Sequence, residues 1–254
     1  LLEDLGDTTF SLALEQNDED ALYTEALDTL AVIRAIRTVE SKLPHYDQKE
    51  LQRELDVCPE WFFSQALGLP LNSKALSIFA ELSACVIDAA RHQPQGLVHR
   101  DYHSRNLMVP AGDAPLAVID FQDAIMGPVA YDAVSLLKDV YVVWPRAKQL
   151  VWLEYYWEHL VREGQLGEGS WPQFIVWFDL IGLQRHVKIL GVFSRLWLRD
   201  DKPSYMRDIP VVIAYVREAC LLYRGSQPAI GVFWDWFEDS IMPTIERQDW
   251  YSPS

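Results

Sequence analysis

The residues of this chain whose types and spacing could do chemistry are His99-Arg100-Asp101, Asn106 five positions after that Asp, and Asp120, which ends an apolar run. Carboxylates and an amide oxygen at strand ends suit a hard cation. Phosphoryl transfer needs this division of labour: Mg²⁺ held by one Asp and one Asn to neutralise the transferred group's oxygens, and a separate carboxylate to orient and deprotonate the attacking hydroxyl. An H-R-D-x-x-x-x-N stretch followed by a strand and then an Asp fits it position by position. Asp101 is the expected base, and Asn106 and Asp120 are the expected metal ligands.

These residues need a scaffold, and the local pattern supplies a hairpin. Leu97-Val98 leads into the polar loop from His99 to Asn106, Leu107 to Val109 reads as a short strand, Pro110 to Pro115 as a turn, and Leu116 to Ile119 as the returning strand. A single Asp at a strand end is ordinarily a turn or cap residue, but three motifs in order across a hairpin favour function. His103 and Asp123 stay open, since either could face substrate, orient a neighbour or be solvated.

After Asp120-Phe121-Gln122 come Gly127-Pro128 and Asp132, with no long activation segment and no Ala-Pro-Glu sequence. In this the stretch resembles the kinase-like fold, specifically its small-molecule branch, the aminoglycoside phosphotransferase and choline kinase group. The resemblance implies an α+β fold consisting mainly of the helical larger lobe with a catalytic β-hairpin, and ATP as co-substrate. It implies that Asp132 accepts backbone N–H groups of the catalytic loop, with His99 also supporting that loop. Residues 1–8 correspond to the hinge, where Glu3 and Leu5 would meet the nucleotide, and residues 9–254 to the larger lobe, with a catalytic core at 97–132 and a helical substrate region at 133–254. The smaller N-terminal lobe, with its Gly-rich loop and strand Lys, is absent from this sequence. Arg100 stands where aminoglycoside kinases more usually carry Gly.

The opening LLEDLGD, the loop HRDYHSRN and the later GLQRHVKILGVFSRLWLRDDKPSYMRDIP are similar to one bacterial subgroup, the anomeric amino-sugar kinases. That similarity implies ATP-dependent phosphorylation of the C1 hydroxyl of N-acetylmuramate and N-acetylglucosamine in peptidoglycan recycling. The alternatives are an aminoglycoside or choline-type kinase, or a non-catalytic binding module if the smaller lobe is truly lacking.

Composition sets the outer limits. With 254 residues, half of them hydrophobic, the chain can bury a sizeable core. A formal net charge of -15 disfavours nucleic acid and anionic membrane as partners and makes ATP binding depend on local cations. Three widely spaced cysteines, Cys58, Cys85 and Cys220, fit a reducing compartment, and no run approaches the roughly 18 apolar residues of a spanning helix. The expected protein is therefore soluble and cytoplasmic, with a small amino sugar and ATP as partners.

Helical spacing is expected over Asp18–Glu40, Asp47–Leu55, a stretch opened by Pro59, a helix capped by Asn72, Ala133–Val143, Pro145–Arg162, Trp171–Phe193, Asp208–Tyr223 and Ile230–Trp250. Arg185, His186 and Lys188 form a basic cluster inside the otherwise apolar Trp171–Phe193 segment. They either reach solvent or pair with acids, or they bind an anionic or polyhydroxyl substrate.

Overall fold

A computed structural model describes residues 4–36, 43–112 and 114–252. The chain divides into two compact units, one of Leu1–Tyr46 with Gln93–Phe178 and one of Asp47–His92 with Asp179–Ser254. Among the described residues no helix is long and apolar enough to cross a membrane.

The first unit carries all the strands found among the described residues. β1 (Gln95–Val98) pairs antiparallel with β4 (Ile125–Pro128), and β2 (Leu107–Met108) pairs antiparallel with β3 (Ala117–Val118). Leu107 faces Val118 and Met108 faces Ala117, which is the expected hairpin trimmed to its best-paired residues. Thr9 extends this edge by bridging Met108, and Val109 N donates to Thr8 O at 2.9 Å. β4 is not legible in the sequence, because Gly127-Pro128 reads as a turn signal. Gly127 is needed there for close approach: a Cβ would lie 3.2 Å from both Tyr46 Cδ1 and Val98 Cγ2.

A helix, Glu19–Ala35, packs against β1 and against a second helix, Arg146–Arg162. Glu19–Ala35 is capped by Asp18, whose carboxylate accepts Asp20 N at 2.8 Å and Ala21 N at 3.1 Å, and it buries Leu22, Tyr23, Ala26, Leu27 and Leu30 on one face. The helix ends earlier than the expected Glu40, at Ala35; residues 37–42 lie outside the described residues. Tyr23 stacks on Trp152 of the helix Arg146–Arg162, with ring centroids 3.9 Å apart.

Between them runs Tyr131–Leu137, buried at every residue. It stops well short of the expected Val143, because Asp139 turns its carboxylate onto Tyr141 N at 3.1 Å and so stabilises a turn in place of another helical one.

The second unit is helical throughout. Gln48–Leu55 and Ser73–Arg91 begin at Asp47 and Asn72, whose side chains accept Glu50 N and Ala75 N at 2.9 Å each. Cys58–Ala66, opened by Pro59, is wound as a π-helix. Helix Trp171–Leu198 begins in the first unit and ends in the second, and it runs five residues past the expected Phe193. Gly191 lets its backbone lie against Val57, whose carbonyl carbon would sit 2.5 Å from an added Cβ. Ile209–Tyr223 follows as expected. The closing segment is broken into Pro228–Trp236, a π turn over Phe237–Ile241 and Met242–Ile245, since Pro243 cannot continue an α-helical ladder. Phe62, Phe63, Phe79, Phe233, Trp234 and Phe237 fill this unit's core, and Cys58, Cys85 and Cys220 are free thiols.

Candidate active site

The loop from His99 to Asn106 joins β1 to β2, so both of its ends are tied to sheets. Its first turn is held by Asp132, which is 2% exposed and accepts His99 N at 2.7 Å and Arg100 N at 3.0 Å. Burial pushes the Asp132 carboxyl above its ordinary range, opposed by those two N–H donors and by the charge of Arg34. Arg100 adopts φ 77°, a left-handed backbone that glycine takes freely and that costs other residues roughly 1–3 kcal/mol. Asp120 is the second residue of this kind, at φ 68° and ψ 40°.

The site is gathered around the peptide of Ile119. Its N–H donates to Asn106 O at 3.0 Å, and its carbonyl lies 3.0 Å from His99 Nε2. A carbonyl only accepts, so Nε2 carries the hydrogen. Asn106 in turn donates one side-chain N–H to Asp101 O at 3.0 Å, which turns the amide nitrogen to the loop and leaves Oδ1 as its acceptor. Asp101 and Asn106 are half-buried, whereas Asp120 is exposed and accepts a short hydrogen bond from Gln122 Nε2. The three residues singled out by the sequence are therefore brought to one end of the β2–β3 hairpin.

The donor set fits magnesium. Among the described residues there is no group of three His, Cys, Asp or Glu side chains that could hold a metal. One carboxylate and one amide oxygen are the sparse protein ligation this ion takes when substrate phosphates and waters complete its shell.

The remaining expected residues fall in different places. His103 packs edge-on against Tyr141 with centroids 5.5 Å apart, and Asp123 is exposed at the end of a single 3-10 turn, Phe121–Asp123. Leu5 lines a cavity of about 520 Å³ with Gly6, Pro110, Pro115 and Ala117. Glu3 lies outside the described residues. Arg185, His186 and Lys188 belong to the second unit. There His186 stacks on Tyr215 with centroids 4.6 Å apart, Arg185 is buried, and Lys188 Nζ lies 2.7 Å from Glu54 Oε1.

The sequence reading missed Gln122, which holds Asp120, and Asp139, which accepts Ser104 N at 3.0 Å and Ser104 Oγ at 2.5 Å. Asp139 carries no local signal, since the helix holding Asp132 ends at Leu137 and its partner Ser104 lies 35 residues away in the chain.

Residues 1–168 match the family model described as the phosphotransferase enzyme family, APH. The chain belongs to this family. It is 38% identical over 218 residues to an N-acetylmuramate/N-acetylglucosamine kinase of Pseudomonas putida, covering 86% of this chain and 63% of that protein. A protein of the same name from Neisseria meningitidis serogroup B is 34% identical over 248 residues, covering 96% of this chain and 73% of that one. The chain thus spans just under two thirds of the Pseudomonas putida relative's length.

Among solved structures, an ethanolamine kinase of Plasmodium vivax matches with a TM-score of 0.60 at 14% identity, covering 88% of this chain and 64% of that one. The aminoglycoside phosphotransferase APH(2'')-Ib, solved with ADP, matches at 0.54 and 15%, covering 86% and 71%. At such identities these two show the fold, which is α+β and kinase-like: mostly helical with small sheets.

Proposed function

We propose that this APH-family chain carries the catalytic lobe of an ATP-dependent sugar kinase that phosphorylates the anomeric hydroxyl of N-acetylmuramate and N-acetylglucosamine. The observation that carries this reading is the joint placement of Asn106 and Asp120 through the Ile119 peptide, next to the Asp101 loop, in a chain 38% identical to a protein of that name.

In the reaction, Asp101 accepts the proton of the C1 hydroxyl as that oxygen forms its bond to the γ-phosphorus and the bond to the β,γ-bridging oxygen breaks, so that ADP leaves. Asn106 and Asp120 are the residues that would hold magnesium, which when bound neutralises phosphate oxygens. Asp132 keeps the His99-Arg100 peptides in place, so Asp101 is presented from a fixed backbone. The cavity beside Leu5 is the proposed seat of the nucleotide base.

In a chain of net charge -15 the lactyl carboxylate of N-acetylmuramate needs a local cation to offset its desolvation. Magnesium dependence, a cytoplasmic setting and a place in peptidoglycan recycling belong to the same reading.

The test is turnover by the full-length protein of both sugars against an aminoglycoside, with the product's phosphate located by ³¹P NMR. A phosphate at C1 of either amino sugar supports the reading. Transfer only to the aminoglycoside overturns it.

A further inference from the structure

The catalytic loop is held at its start by Asp132 and at its end by strand pairing, and a third hold sits in between. Ser104 is 1% exposed, and both of its donors go to one oxygen of Asp139: N at 3.0 Å and Oγ at 2.5 Å to Oδ2. The other oxygen, Oδ1, accepts Tyr141 N at 3.1 Å. Tyr141 then reaches the same loop with its ring. The Arg105 guanidinium lies 3.4 Å from that ring's centroid, and the His103 ring meets it edge-on at 5.5 Å. Three consecutive loop residues, His103, Ser104 and Arg105, are therefore gripped by Asp139 and Tyr141.

We propose that the Asp139–Tyr141 segment is a clamp that positions the catalytic loop, with Asp139 the positioning residue for Asp101 and Asn106. Ser104 lies three residues after Asp101 and two before Asn106, so a displacement there moves both. Asp139 is only 4% exposed, and a carboxylate buried to that degree is stabilised by donors such as the three it accepts. An amide in its place would turn N–H groups toward donors or surrender an acceptor. The clamp also accounts for the early end of Tyr131–Leu137, since the turn that stops the helix is the one that aims Asp139 at the loop. Asp132 in the helix and Asp139 just past its end thus hold the loop at 99–100 and at 104.

The proposal rests on Asp101 being the base, and its test separates the two claims. In the full-length enzyme, Asp139→Asn and Tyr141→Leu are assayed well below their unfolding temperatures for kcat and for KM of sugar and nucleotide. Amide hydrogen exchange is followed across residues 99–106. The clamp predicts a kcat loss of about 10-fold or more in Asp139→Asn with sugar KM within about 3-fold, because geometry at the reacting atoms is lost and binding is not. It also predicts faster exchange at Ser104. The double variant Ser104→Ala/Asp139→Asn should be no slower than Asp139→Asn alone, as expected of residues acting as one unit.

A folded Asp139→Asn with parental kcat, or full additivity with Ser104→Ala, overturns the clamp. Should Asp139→Asn not fold, Ser104→Ala removes one donor and no charge; a kcat loss with KM kept supports the clamp, and a parental kcat overturns it. Activity retained in Asp101→Asn would refute the base instead, and the exchange at Ser104 would still test the clamp.

Discussion

The Ile119 N–H donates to the Asn106 carbonyl at 3.0 Å, making the last residue of the His99–Asn106 loop a backbone neighbour of the residue that precedes Asp120. The two proposed magnesium ligands thus share a rigid connection, even though one side chain is half-buried and the other exposed. Backbone coupling of this kind fixes where the two side chains start, and the ligands themselves supply the affinity.

Asn106→Ala and Asp120→Ala should therefore each weaken magnesium-dependent nucleotide binding, Asp120→Ala more, since it also removes a charge. Calorimetric titration of the full-length protein with nucleotide, with and without magnesium, checks this. Parental magnesium dependence in both variants would take these residues out of the metal site.

Lys188 and Glu54 give the basic cluster a structural role that is separately measurable. Their side chains are 16% and 5% exposed, and Gln184 Nε2 also donates to Glu54, at 3.3 Å. Lys188→Met leaves a buried carboxylate without its lysine, which should cost about 3 kcal/mol in urea unfolding, at the low end for a buried pair because Lys188 keeps some solvent. Lys188→Met/Glu54→Leu should recover most of that loss. If Lys188 instead serves the sugar, Lys188→Met would keep parental stability and raise KM for N-acetylmuramate alone.

Alkaline stability follows from three buried groups. Burial pushes the Cys58 thiol and the Tyr102 phenol well up, and the Cys220 thiol up to about 12. In the unfolded chain these groups ionise near their ordinary values of about 8.5 and 10. The unfolded state therefore releases protons first, and stability that is fully present below about pH 8.5 is lost as pH rises. Cys220 alone should account for about 2 kcal/mol by pH 10, at about 1.4 kcal/mol per pH unit. Urea unfolding between pH 7 and 10 should show the decline, with a shallower slope in Cys220→Ala. Equal slopes would remove Cys220 from this account.

The parts of the site that could be read from the sequence are those whose residue types have few other uses. Asp101, Asn106 and Asp120 stand at fixed spacing along one hairpin, so local pattern was enough. Asp139 was not legible because its partner, Ser104, is 35 residues away and no local period links them. β4 was hidden for a similar reason: four residues ending in Gly-Pro become a strand only against β1. The left-handed Arg100 could not be expected from its type, since tertiary bonds from Asp132 impose it. Capped helices fared best, Asp47 and Asn72 marking starts that the structure keeps, because a cap is a local interaction.

The central claim is that Asp101 takes the proton from the anomeric hydroxyl, and Asp101→Asn tests it most directly by keeping size while removing the base. Steady-state turnover of N-acetylmuramate by the full-length protein, with the C1 phosphate followed by ³¹P NMR, is the measurement. The account predicts a kcat lower by about 100-fold or more, with KM for the sugar nearly unchanged. An Asn variant turning over within a few-fold of the parent would contradict it.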